Sequence, residues 1–126
     1  MLHYYEIKNN LPPLVFIHAQ GVDGLSFENT FKKLSTKYHI YAVDCYGHGK
    51  SLHDEITYNI KDISEAIIDF IQSVAKDKVV LVGHSSGGWL PHILHRLPIC
   101  VQSLFWKIRR FLHPKVSEEN RPSITL

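Results

Sequence analysis

The amino-acid sequence predicts an α/β fold with a mostly parallel sheet and flanking helices. Three short apolar runs, Leu14–Ile17, His39–Asp44 and Val79–Gly83, are typical of strands that are buried on both faces, as in a parallel sheet. A helical repeat of apolar residues lies between the second and third runs. Strands that are separated by helical segments imply right-handed crossovers, and therefore this class of fold.

Two further elements precede the second apolar run. Leu2–Ile7 is rich in aromatic and apolar residues and ends at Asn9–Asn10, which predicts a strand followed by a turn. Phe27–Leu34 predicts a short helix, because three of its apolar residues fall on one helical face.

The clearest helix is predicted over residues 59–75. Its apolar residues recur at spacings of three and four, as one face of an amphipathic helix requires. Asn59 is the predicted N-cap, and Asp62 is favourably placed in the first turn. The apolar face consists of Ile60, Ile63, Ile67, Ile71 and Val74, with Phe70 beside them.

Composition excludes several classes of function. The 126 residues suffice for one domain, and a net charge of +2 is too small for a nucleic-acid binder. No stretch approaches the roughly 20 apolar residues of a membrane span, and Met1–Asn10 has no signal-peptide layout, so we expect a cytoplasmic protein. Two cysteines are too few for a disulfide scaffold. The nine histidines show no metal-ligand spacing, so we expect no metal and no other cofactor.

A G-x-S-x-G motif, Gly83-His84-Ser85-Ser86-Gly87, directly follows the third apolar run. A sharp strand-to-helix turn at such a motif raises the serine hydroxyl above the sheet, where a histidine can deprotonate it. The alternative is a simple Gly/Ser-rich turn. The position directly after a buried strand favours Ser85 as a nucleophile.

The segment His18-Ala19-Gln20-Gly21 follows the first apolar run. Acyl transfer at a serine needs backbone N–H groups that point at the developing oxyanion. We expect one from Ser86, directly after the nucleophile, and one from Gln20. The alternative is a plain polar loop with a glycine turn, but its position after a sheet strand favours the functional interpretation.

A third loop, Asp44–Ser51, follows the second apolar run. Its glycines, Gly47 and Gly49, predict a tight loop with unusual φ angles. The loop lacks both common phosphate-binding motifs, so we interpret it as a structural turn that supports the site. Cys45 is interpreted as a small buried apolar residue rather than a nucleophile.

Together, the three loops resemble the N-terminal half of the α/β-hydrolase family, over residues 2–88. Their order is an H-G-like oxyanion loop, a D-x-x-G-x-G-x-S loop and the G-x-S-x-G elbow, with Ala19 where the family usually has glycine. The resemblance implies Ser85 as the nucleophile and the backbone N–H groups of Gln20 and Ser86 as oxyanion donors. The supporting loop residues that it implies are His18, Gly21, Asp44, Gly47, Gly49, Gly83 and Gly87.

The resemblance also implies a sheet order. Leu2–Ile7 is expected to pair with His39–Asp44, followed by Leu14–Ile17 and then Val79–Gly83. A serine nucleophile indicates the esterase, lipase, peptidase and C–C hydrolase branches of the family, and argues against the branches that use aspartate.

The family pattern stops near residue 88, so we divide the chain into an N-terminal part of an α/β-hydrolase domain (1–88) and an atypical basic tail (89–126). All seven glycines lie in 1–88, and the net charge changes from −2 in that part to +4 in the tail. The family places the acid and the histidine of its triad after the serine. No run comparable to the third apolar run follows, and Pro91 falls inside the expected elbow helix. We therefore expect a disordered or loosely helical tail without those two residues, which leaves Val79–Gly83 as an exposed sheet edge.

The codons of the tail suggest how it arose. The codons of Phe105-Trp106-Lys107, when read two bases later, must encode Leu-Glu, and the next codons permit Asp-Pro-Pro-Phe. That string is similar to a strand end and loop in one branch of the family. Our hypothesis is that residues 89–126 are translated out of frame after a shift near Trp89, and that the chain is a truncated and inactive hydrolase.

The function expected from the sequence is a serine hydrolase that forms an acyl-enzyme with a small ester-like or acyl substrate. The alternative is a non-catalytic ligand-binding protein on the same scaffold. A third interpretation is a membrane-surface helix in the basic segment at residues 104–112, but a chance pattern explains that segment better. No nucleic-acid partner and no membrane span are expected, and the substrate and the oligomeric state stay open.

Overall fold

The computed structural model describes residues 2–51 and 59–84 and the backbone of residues 100–107. These residues form five strands, two α-helices and one short 3-10 helix. The strands are β1 (Tyr4–Ile7), β2 (Pro13–Ile17), β3 (His39–Val43), β4 (Lys78–His84) and β5 (Cys100–Lys107). The helices are the 3-10 helix Gly24–Phe27, α1 (Glu28–Leu34) and α2 (Ile60–Val74).

The five strands form one sheet in the order β1-β3-β2-β4-β5. β1 is antiparallel to β3, and the other neighbouring pairs are parallel. The predicted order of the first four strands is therefore confirmed, as is the predicted class of fold. The carboxyl ends of β2, β3 and β4 meet at one edge, because Ile17 lies opposite both Val43 and Gly83.

Both faces of the sheet are buried, as the apolar runs predict. Alternate residues of β2 point to opposite faces, since side chains in a strand alternate with a period of two. Val15 and Ile17 pack with the apolar face of α2, whereas Leu14 and Phe16 pack with Phe31 of α1.

The two predicted helices are confirmed with small differences at their ends. The side chain of Asn59 caps α2 by accepting a hydrogen bond from the Asp62 N–H at 2.9 Å. The helix predicted from Phe27 is preceded by the 3-10 helix, which Asp23 caps by accepting from the Leu25 N–H at 3.0 Å. No helix in residues 2–51 or 59–84 is both long and apolar enough to cross a membrane.

The expectation of a disordered or loosely helical tail is wrong for residues 100–107. They form β5, which pairs in parallel with β4 from Lys78 to His84, so β4 is not the exposed edge that we predicted. The edge of β4 supplies backbone hydrogen-bond partners to these residues, and the local sequence pattern does not reveal this pairing. The expected elbow helix with Pro91, and the rest of the tail, lie outside the described residues.

A hydrogen-bond network around His39 links the elements at the amino-terminal edge of the sheet, opposite the edge where the strands end. The His39 ring contacts the Asn9 carbonyl through Nδ1 at 2.8 Å and the Glu6 carboxylate through Nε2 at 2.6 Å. The Asn9 side chain in turn donates to the carbonyls of Ser35 and Tyr38, after α1. These contacts join β1, the turn that follows it and the start of β3.

Candidate active site

Three loops leave the carboxyl edge of the sheet next to one another. The strand register sets His18, Asp44 and His84 side by side. They directly follow Ile17, Val43 and Gly83, and Ile17 lies opposite both of the other two residues. Ser85, Ser86 and Gly87 lie outside the described residues. β4 extends through Gly83 to His84, so the chain reaches Ser85 directly from a strand, as the elbow motif requires.

Asp44 is fully buried and accepts three hydrogen bonds. Its Oδ1 accepts from the Gly24 N–H at 2.7 Å, and its Oδ2 accepts from the Lys50 N–H at 2.9 Å and from Nδ1 of His3 at 2.8 Å. Burial alone raises the pKa of a carboxyl group, but these donors outweigh that effect and hold the pKa of Asp44 below its ordinary value. Asp44 is therefore an anion at neutral pH and serves as an acceptor.

Ser51 completes this network. Its hydroxyl donates to the Asp44 carbonyl and accepts from the His3 N–H at 2.8 Å. The Asp44 N–H donates to the His3 carbonyl at 2.8 Å. The network joins the start of β1, the 3-10 helix and the loop after β3, which fits the interpretation of Asp44–Ser51 as a supporting turn.

Glycine is required at position 49 for two reasons. Gly47 and Gly49 have φ angles of 76° and 51°, in the left-handed region that favours glycine, so the predicted unusual φ angles are confirmed. A Cβ atom at Gly49 would also overlap the Asp44 carboxylate. Gly21 has a φ of 83°, but a Cβ atom there would meet nothing within 4 Å.

These differences predict the stability of two alanine variants. Gly21→Ala should cost about 1 kcal/mol through backbone strain alone. Gly49→Ala should cost about 1–3 kcal/mol more, because the added methyl group also displaces the Asp44 carboxylate. Urea unfolding of the two variants beside the wild type measures both costs. Equal losses of stability would contradict the close approach of Gly49 to Asp44.

His18 is a buried and neutral imidazole. Its Nδ1 donates to the Ala19 carbonyl at 2.7 Å, and its Nε2 accepts from the Cys45 N–H at 2.9 Å. Burial lowers the pKa of His18. Cys45 is fully buried, as predicted, and burial raises the pKa of its thiol.

The pKa shifts predict that acid destabilises the fold in two stages. Below about pH 6.5 the unfolded chain protonates His18 while the native chain does not, so the free energy of unfolding falls as the pH falls. Because the native pKa of Asp44 is lowered, its contribution is lost at still lower pH, below about 3.9. Urea midpoints measured against pH test this. His18→Gln should remove part of the first stage, and an unchanged profile would contradict the burial of a neutral His18.

An open depression of about 640 Å³ lies between the loop after β2 and the loop after β3. Gly21, Val22, His48 and Gly49 are among the residues that line it. Gln20, next to Gly21, is exposed, and within the described part of the chain its backbone N–H donates to no acceptor.

Sequence reasoning missed three residues of this edge. His3 contacts Asp44 across 41 positions of the chain, and no local pattern predicts such a contact. Gly24 approaches the Asp44 carboxylate and the Ala42 carbonyl so closely that a Cβ atom would be 2.9 Å from the latter. His48 accepts a hydrogen bond from the Gly21 N–H, and its only signal in the sequence is its place between two glycines.

The described fold is that of an α/β protein with its loops gathered at the carboxyl edge of a parallel sheet, where ligands bind in folds of this class. The model of the alpha/beta hydrolase family matches residues 14–114. The chain therefore belongs to the alpha/beta hydrolase family.

Among its relatives is a 2-(acetamidomethylene)succinate hydrolase of Mesorhizobium japonicum, which is 34% identical over 64% of this chain. Another is a putative esterase/lipase of Haemophilus influenzae, 33% identical over 68% of this chain. A crystal structure of an E-2-(acetamidomethylene)succinate hydrolase superposes on 82% of this chain with a TM-score of 0.71 and 31% identity. The chain spans only 29% and 30% of the lengths of the first two proteins and 38% of the third.

Proposed function

We propose that the chain carries the nucleophile of a serine hydrolase. In this proposal, the Ser85 hydroxyl attacks an acyl carbonyl, and the backbone N–H groups of Gln20 and Ser86 stabilise the oxyanion that forms. The observation that carries the proposal is the register of β2 with β4. Ile17 lies opposite Gly83, so the loop that contains Gln20 and the chain that leads into Ser85 leave the sheet as neighbours.

Two further features support the oxyanion assignment. Within the described residues, the Gln20 N–H makes no hydrogen bond that a substrate would have to break. The depression beside it provides room for an acyl group. The names of the relatives, an esterase/lipase and a succinate-derivative hydrolase, support a small ester-like or acyl substrate.

The proposal leaves the acid and the histidine of the triad to residues beyond position 88, supplied by what we call the extended protein. This is the family-like part of the present chain, including Ser85, followed by the product of a family-like reading frame. The out-of-frame origin of residues 89–126 stays a prediction. Strand β5 and a family match that continues to residue 114 weigh against a shift as early as Trp89. For the 126-residue chain alone we expect negligible turnover, because a triad acts as a unit.

The nucleotide sequence from codon 85 onward is the first test. A family-like frame beyond the shift would support the extended protein, and the absence of such a frame would contradict the out-of-frame hypothesis. The second test is a screen of the extended protein against short-chain esters. Hydrolysis supports the proposal. Ligand-dependent thermal stabilisation without hydrolysis would instead support the alternative, a non-catalytic binding protein.

A further inference from the structure

At the carboxyl edge, two histidines in neighbouring loops each accept a hydrogen bond from the backbone of the other loop. His18, in the loop after β2, accepts at Nε2 from the Cys45 N–H of the loop after β3, at 2.9 Å. His48, in the loop after β3, accepts at Nε2 from the Gly21 N–H of the loop after β2, at 3.3 Å. The centres of the two rings are 5.0 Å apart. Each loop therefore holds the backbone of the other through an imidazole.

The partners of the two rings fix where their protons lie. Nδ1 of His18 contacts the Ala19 carbonyl at 2.7 Å, and Nδ1 of His48 contacts the Tyr46 carbonyl at 2.9 Å. A carbonyl only accepts and a backbone N–H only donates, so each ring needs a proton on Nδ1 and none on Nε2. A second proton on either ring would set two donors against each other and break the bond to the opposite loop.

We propose that His48 is a positioning residue that, with His18, forms a neutral imidazole clasp between loop 18–21 and loop 44–51, and that this clasp sets the direction of the Gln20 N–H. Gln20 lies between His18 and Gly21, the two residues through which these hydrogen bonds hold loop 18–21. The role of this N–H group as an oxyanion donor rests on the proposed function. The clasp itself does not, because it is defined by contacts within the chain.

The charges around the clasp act on it from both loops. Burial has the largest effect on the pKa of His18 and lowers it, as His48 also does, whereas the hydrogen bond to the Ala19 carbonyl and the charges of Asp44 and Asp23 raise it. Asp44 and Lys50 belong to the same loop as His48, and Asp23 follows loop 18–21. The net effect keeps His18 neutral, so its ring gains a second proton, and releases the Cys45 N–H, only at a lower pH than an ordinary imidazole would.

Nuclear magnetic resonance of the ¹⁵N-labelled 126-residue chain tests the clasp without any turnover. At pH 7.5, long-range ¹H–¹⁵N correlations should show both rings with a proton on Nδ1 and none on Nε2. On acidification, the Cys45 amide signal should shift as the His18 ring gains its second proton, at a pH below the ordinary pKa of histidine because burial lowers the pKa of His18. His48→Ala should speed hydrogen exchange of the Gly21 amide by about 2- to 10-fold, the effect of one net hydrogen bond.

Two matched variants make the result specific. His48→Gln retains a side-chain acceptor, so its Gly21 amide should exchange as slowly as that of the wild type. His39→Gln changes a histidine at the opposite edge of the sheet and should leave the Gly21 and Cys45 amides unaltered. A proton on Nε2 of His48 at pH 7.5 would overturn the proposal, as would a Gly21 amide whose exchange rate His48→Ala leaves unchanged. Neither result would bear on whether Ser85 is a nucleophile.

Discussion

Ser85→Ala should lower kcat/KM for ester hydrolysis by the extended protein by about 10⁴-fold or more. A serine nucleophile acts as one unit with its base, and removal of either removes nearly all of the covalent pathway. The residual rate would come from binding and from the oxyanion donors, which the variant retains. Hydrolysis of a chromogenic short-chain ester measures the effect.

A serine outside the site provides the control for this variant. Ser73 lies on α2 and donates a hydrogen bond to the Phe70 carbonyl at 2.6 Å, away from the carboxyl edge. Ser73→Ala should therefore leave kcat/KM within about threefold of the wild type, at a small cost in stability. A Ser85→Ala variant that retains wild-type hydrolysis would show that the reaction does not pass through Ser85.

Asp44→Ala should destabilise the 126-residue chain by about 3 kcal/mol. The substitution leaves three donors, the N–H groups of Gly24 and Lys50 and the His3 ring, without their acceptor in a buried place. Each buried donor that is left unpaired costs about 1–3 kcal/mol, less where water can reach it. Such a loss is a large part of the stability of a small domain, and urea unfolding at neutral pH measures it.

Asp44→Asn separates the acceptor role of Asp44 from its volume. Asparagine has a similar shape and retains one acceptor oxygen, so this variant should lose clearly less stability than Asp44→Ala. It should also lose the acid-dependent step that we assign to the carboxylate. An Asp44→Ala variant within about 0.5 kcal/mol of the wild type would contradict the role of Asp44 as the centre of the loop network.

The sequence predicts the sheet well because its strands are buried on both faces. Apolar runs such as Leu14–Ile17 and Val79–Gly83 have few alternatives to a parallel sheet, and their order followed from the resemblance. β5 was missed because its residues, Cys100–Lys107, mix apolar and polar side chains without a clear period. The partner edge, rather than the local pattern, determines that strand.

The candidate site could be predicted only in part. Short-range motifs identified the loops at His18 and Asp44, which follow β2 and β3, whereas the loop predicted at Ser85 lies outside the described residues. The contacts that hold the loops were not predictable, since His3, Gly24 and His48 meet their partners across 41, 20 and 27 positions. Hydrogen bonds over such separations depend on the completed fold.

Covalent labelling with a fluorophosphonate tests the central claim most directly. The extended protein should take up one label per chain, and peptide mapping by mass spectrometry should place the label on Ser85, while Ser85→Ala takes up none. Failure of the folded extended protein to react, or a label on any other residue, would contradict the assignment of Ser85 as the nucleophile.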